Sequence, residues 1–139
     1  MAVTNGYATG ADAQALFNVL GGVSITFGAA TTPTLTQVEG WLDALAAEVD
    51  ALLRANGYGE VPATGTNDVQ FIGRFVAQKG AAVAYGAALP YAEEPDRVKR
   101  WNDEWDTFLT RLINKSYRLI DQSPRSKFGT VKPMRYIKD

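Results

Sequence analysis

The segment TLTQVEGWLDALAAEVDALLRANGY, Thr34 to Tyr58, decides how this chain folds. Thr36 and Glu39 fit a capping box, in which the hydroxyl and the carboxylate each satisfy a free backbone N–H at a helix start. Asn56-Gly57 is typical of a helix end, because glycine takes a left-handed conformation easily. The segment therefore predicts one helix of roughly 30 Å. Its apolar face follows the 3.6-residue period and consists of Val38, Trp41, Leu42, Leu45, Val49, Leu52 and Leu53.

A short helix is predicted before this segment, over Ala11 to Leu20. Gly21-Gly22 ends it, and Asp12 lies in its first turn, where a negative charge suits the helix dipole. The residues expected near one face of this helix are Ala15, Leu16, Val19 and Leu20.

Two longer helices are predicted after the segment. One runs from about Asp68 to Leu89, capped by Asn67 or Thr66, and Pro90 ends it. The other starts near Glu93 to Asp96 and runs to about Asp121. The fold class predicted for residues 1–122 is therefore all-α, a small helical bundle of one short and three longer helices. The apolar face of the last helix is expected to comprise Trp101, Trp105, Phe108, Leu109, Leu112, Ile113 and Ile120.

Residues 23–33 interrupt the helical pattern with an irregular loop. Val23, Ile25 and Phe27 alternate with Ser24 and Thr26, which is a short strand pattern. A lone strand leaves backbone groups unpaired, so the segment needs a partner in its own domain or in another subunit. The three apolar residues are therefore candidate contacts with such a partner. The alternative is a surface loop with two buried anchors.

The third predicted helix carries small residues along one stripe: Gly73, Ala77, Gly80, Ala84 and Ala87. Each glycine inside a helix costs about 1 kcal/mol relative to alanine. Close approach of another helix is the usual compensation for that cost. The stripe, from Gly73 to Ala84, is therefore a candidate subunit contact, and tight packing inside one subunit is the alternative.

The composition restricts the chemistry. The 139 residues contain neither cysteine nor histidine, which removes disulfides, thiolate metal sites and imidazole catalysis. No dinucleotide or phosphate-binding loop is present, and Asp103, Glu104 and Asp106 fit a solvated helix face. No catalytic residue, metal or cofactor is predicted, and the chain is not expected to be an enzyme. It lacks an apolar run of about 18 residues and a recognisable signal peptide, so we expect synthesis in the cytoplasm and no membrane contact.

The last seventeen residues, 123–139, form a second predicted unit, an extended basic arm. They hold five basic residues and one acid (5 − 1 = +4), whereas residues 1–122 hold nine and fourteen (9 − 14 = −5). Basic residues interleaved with apolar ones suit an extended segment that docks into a groove of another protein. A disordered solubilising tail and a nucleic-acid-binding arm are the alternatives. The residues expected to dock are Arg125, Lys127, Phe128, Val131, Lys132, Met134, Arg135, Tyr136, Ile137 and Lys138.

Four stretches of the chain resemble the head-to-tail connector, or adaptor, proteins of tailed bacteriophages. They are YATGADAQALF near the start, TLTQVEGWLDALAAEVDALLRANGY with VPATGTND after it, the helix of small residues, and RWNDEWDTFLTRLI before the arm. The resemblance covers most of the chain. It consists of pattern matches rather than a catalytic fingerprint.

The resemblance implies a ring, commonly dodecameric, bound under the portal protein in the virion neck at the capsid vertex. The arm would grip the portal, and the ring would offer a platform to the next neck or tail protein. Val23, Ile25 and Phe27 would be candidate contacts with a neighbouring subunit or a neck protein, and so would the stripe from Gly73 to Ala84. Genomic DNA would pass through the lumen without specific binding, and an acidic body suits that role because like charges repel phosphates. Two alternatives remain: another neck or tail-completion protein, and a small helical nucleic-acid-binding regulator with a basic arm.

Overall fold

The computed structural model of the chain describes residues 6–21, 26–58, 61–90 and 93–114. These residues form four helices and no strand: α1 (Gly10–Gly21), α2 (Leu35–Ala55), α3 (Thr66–Ala88) and α4 (Asp96–Ile113). The prediction of an all-α bundle with one short and three longer helices is confirmed. Among the described residues, no helix combines the length and the hydropathy needed to cross a bilayer.

The start of α2 lies two residues before the predicted capping box. Thr34 is the N-cap: its hydroxyl accepts the Gln37 N–H at 3.2 Å, and Gln37 Oε1 accepts the Thr34 N–H at 3.0 Å. The prediction of Thr36 and Glu39 as the capping pair is wrong. Both pairs fit the same sequence pattern, but Glu39 is buried, at 7% exposure, and its side chain lies beside Gly10 of α1. The predicted end is confirmed, since Asn56 caps the helix and Gly57 has φ of 76°.

The buried face of α1 also differs from the prediction. Thr9 and Asp12 cap the helix reciprocally, through hydrogen bonds of 2.9 and 3.2 Å. Ala13 and Phe17 are buried, while Ala15 is exposed and Val19 is 56% exposed. The predicted face is confirmed for Leu16 and Leu20, which pack partly buried against the core, and wrong for Ala15 and Val19. A short helix with apolar residues on several sides has no unique amphipathic direction.

Helix α3 is central and packs against each of the other three helices. It begins after Gly65, which is its N-cap, rather than after Asn67 or Thr66 as predicted. Phe71 contacts Phe108, and eight residues later Lys79 donates a hydrogen bond to Asn102 of α4. From the first contact to the second, the residue numbers rise in α3 and fall in α4, so the two helices are antiparallel.

Contacts with α1 and α2 fix the remaining directions. The backbone carbonyl of Tyr7 lies against Gly73, and the ring of Phe17 lies 6.3 Å from that of Tyr85, so α1 runs parallel to α3. Along α2, Leu42 packs against Gly80 of α3. Asp50, further along α2, accepts a hydrogen bond from Tyr7, which lies against Gly73, so α2 is antiparallel to α3. The four helices therefore alternate in direction along the chain, as in an up-down-up-down bundle.

An aromatic cluster between α3 and α4 forms one half of the core. Phe75 and Phe108 stack with ring centroids 4.4 Å apart, and Trp105 lies 5.6 Å from Phe108. Trp101 and Trp105 are buried, which confirms their place on the predicted apolar face of α4. Ile113 was expected on this face, but it is 49% exposed. Residues 115–121, predicted to continue α4, lie outside the described residues.

A buried phenol ties the start of the chain to two other parts of the bundle. The Tyr7 hydroxyl donates to Asp50 Oδ1 at 2.6 Å and accepts the Ala63 N–H at 2.9 Å. Burial and the hydrogen bond to Asp50 raise the pKa of Tyr7 well above its usual value. The network therefore holds residues 6–9 against α2 and against the segment that precedes α3.

Candidate docking surfaces

The ten predicted docking residues of the arm, from Arg125 to Lys138, lie outside the described residues, and so do Val23 and Ile25. The remaining loop candidate, Phe27, is described and is 3% exposed. Its ring meets Phe17 edge-on at 5.2 Å, and its N–H donates to Gln14 Oε1 at 2.9 Å. Phe27 thus anchors the loop to α1, as a buried anchor of the surface-loop alternative would do. Residues 29–33 form turns and bends, and residues 23–25, where most of the strand pattern was predicted, lie outside the described residues.

The small-residue stripe of α3 is covered by the chain itself. Gly73, Ala77, Gly80 and Ala84 are all buried. A Cβ at Gly73 would collide with the carbonyl oxygen of Tyr7, and one at Gly80 would lie 2.5 Å from Leu42 Cδ2. The two glycines therefore allow close approach within the bundle, as the intramolecular alternative expects. The four residues are not available on the surface of this fold.

A second stripe of small residues, missed by the sequence reasoning, lies on the solvent side of α2. We call it the α2 outer face, and it consists of Gly40, Ala44, Ala47, Ala51 and Ala55. All five are exposed, and no atom lies within 4 Å of the place where a Cβ of Gly40 would stand. The sequence signal for this stripe was the helical spacing of its small residues, on the side of α2 opposite Leu42 and Val49. It was overlooked because alanine on an exposed face is common in helices.

The α2 outer face lies on an acidic helix. Four acidic residues and one basic residue belong to α2. Glu48 is exposed next to the stripe, while Asp43 and Asp50 are half-buried along its other edge. The exposed Arg54 lies on the same side as Asp43, so the surface is a shallow track of small residues with charges of both signs at its edges.

The C-terminal ends of α2 and α4 are neighbours. The Tyr58 hydroxyl, just after α2, donates to the backbone carbonyl of Leu112 at 3.1 Å. Partial burial raises the pKa of Tyr58 above its usual value. Asn114 caps α4, so the chain leaves the bundle beside the end of α2.

A groove between α3 and α4 is the other notable surface. The Arg74 guanidinium lies 5.3 Å from the centre of the Phe75 ring, and Glu104 Oε1 is buried without a hydrogen-bond partner among the described residues. Basic and acidic residues alternate along the groove, with four basic and three acidic in total. Its small positive excess (4 − 3 = +1) does not favour a basic arm. The basic residues are Arg74, Lys99, Arg100 and Arg111.

The described residues contain no cluster of three or more side chains suited to a metal ion. Lys79 links two helices: it donates to Asn102 Oδ1 at 2.8 Å, and Asn102 donates to Glu94 at 3.4 Å. This relay links α3 to the segment before α4. Asp103 and Asp106 are exposed, in agreement with a solvated helix face.

No family model, curated protein or solved structure matches the chain.

Proposed function

We propose that the chain is a connector subunit of a tailed bacteriophage, a structural protein without enzymatic activity that forms a ring between the portal and the tail. The observation that carries the proposal is the order of the segments that bear the resemblance. The stretch TLTQVEGWLDALAAEVDALLRANGY contains all of α2, the small-residue segment is α3, and RWNDEWDTFLTRLI lies in α4. Each of these segments is one structural element of a single helical bundle.

The distribution of charge supports the same proposal. Residues 1–114 contain seven basic and thirteen acidic residues (7 − 13 = −6), and residues 115–139 contain seven and two (7 − 2 = +5). A ring of acidic bodies would repel DNA from the channel wall. The oppositely charged arm would then be the part that binds the portal protein.

A ring also explains how an arm of modest affinity could suffice. Each arm loses conformational entropy when it docks. Identical arms around one portal share a single partner, so binding of the first raises the effective concentration of the others. The assembled collar would therefore hold much more tightly than one subunit.

The test is to image the neck of the particle to which the chain belongs and to assay joining of heads to tails. A triple variant, Phe128→Ser, Tyr136→Ser and Ile137→Ser, removes apolar anchors and keeps every charge. We expect it to abolish attachment to the portal. A matched variant, Lys127→Ser, Lys132→Ser and Lys138→Ser, keeps the apolar residues and should weaken attachment less. Normal joining with the first variant would contradict the proposal.

The same variants separate the two alternatives. A nucleic-acid-binding regulator predicts DNA affinity that falls steeply with salt and that is lost in the lysine variant but kept in the apolar one. Its basic segment is the observation that favours it. Another neck or tail-completion protein predicts density elsewhere in the neck, away from the portal.

A further inference from the structure

We draw no further inference here: the strongest candidate, the groove between α3 and α4 in which Glu104 Oε1 is buried without a hydrogen-bond partner among the described residues, is lined by four basic and three acidic side chains, and nothing in the structure shows what covers it.

Discussion

The two stripes of small residues in this bundle have nearly the same spacing and opposite positions. Gly73, Ala77, Gly80 and Ala84 on α3 are buried, whereas the corresponding offsets on α2, Gly40, Ala44, Ala47 and Ala51, are exposed. Both helices contact all three of the others, but the α3 stripe lies on the side that faces its neighbours, whereas the α2 stripe lies on the side that faces solvent. The pattern of small residues therefore indicates only that close approach is possible, and the side of the helix that carries the stripe decides whether the bundle uses it.

The largest effect should come from enlarging a residue of the buried stripe. Ala84→Leu places a bulky side chain at a fully buried position. We expect it to lower the free energy of unfolding by about 3 kcal/mol, because overpacking strains a closely packed core. The matched change on the exposed stripe, Ala51→Leu, should alter it by less than about 0.5 kcal/mol. Urea denaturation of both variants measures the difference, and equal effects would contradict the comparison.

A somewhat smaller loss of stability is expected from a change at Tyr7, whose hydrogen bonds hold residues 6–9 against the bundle beside the buried stripe. Tyr7→Phe removes both hydrogen bonds of the phenol, leaving Asp50 and the Ala63 N–H without that partner. The expected loss is about 2 kcal/mol. The control, Tyr58→Phe, removes the hydrogen bond to the Leu112 carbonyl near the end of α4. It should lower the free energy of unfolding by about 1 kcal/mol.

The raised pKa of Tyr7 adds a test by pH. Below pH 10 the phenol is protonated in both the folded and the unfolded state, so its contribution to stability is fully present. Above pH 10 the unfolded state loses this proton while the folded state keeps it, and stability falls. We expect the fall between pH 9 and about pH 11 to be smaller in Tyr7→Phe. An identical pH profile in thermal unfolding would show that the phenol is not buried as described.

Gly73→Ala should lower the free energy of unfolding by a net value of about 1 to 2 kcal/mol. The added methyl group would meet the carbonyl oxygen of Tyr7, which belongs to the backbone and cannot rotate away as a side chain can. Part of that cost is offset by the better helix propensity of alanine. Urea denaturation measures the net change. A stabilised variant would mean that residues 6–9 do not lie against α3.

The smallest effect has the opposite sign. Gly40→Ala adds a methyl group in open space, and we expect stability to rise by about 1 kcal/mol, since alanine is the better helix former. Gly40→Ala and Gly73→Ala are the same chemical change, so the difference between their effects on stability reports the surroundings of the two sites. A loss of stability here would indicate that something already packs on the α2 outer face.

Much of the fold was predictable from local patterns. The apolar period of α2 identified Leu42, Val49 and Leu53 as core residues, and all three are fully buried. The apolar face of α4 likewise identified Trp105 and Phe108 as core residues, and both are buried. These predictions succeeded because a long amphipathic helix has only one face that can be buried.

The errors lie where two local patterns were equally good. Thr34 and Thr36 both begin an acceptable capping box, and α1 offers apolar residues on several sides. Burial of Glu39 beside Gly10 and of Phe17 against Phe27 settled these choices, and both contacts join residues distant in sequence. Among the surfaces, the arm was identified by composition, but the α2 outer face was not, since small exposed residues carry no signal of their own.

The sequence by itself determined that this chain forms an all-α bundle, where α2 begins and ends to within two residues, and that charge is divided between an acidic body and a basic arm. Those properties follow from spacing and composition, which are local. Only the tertiary structure decided which of two similar stripes is buried and which surface lies beside the exit of the chain. That choice depends on which side of each helix faces the other three, and packing is a property of the whole bundle rather than of any one segment.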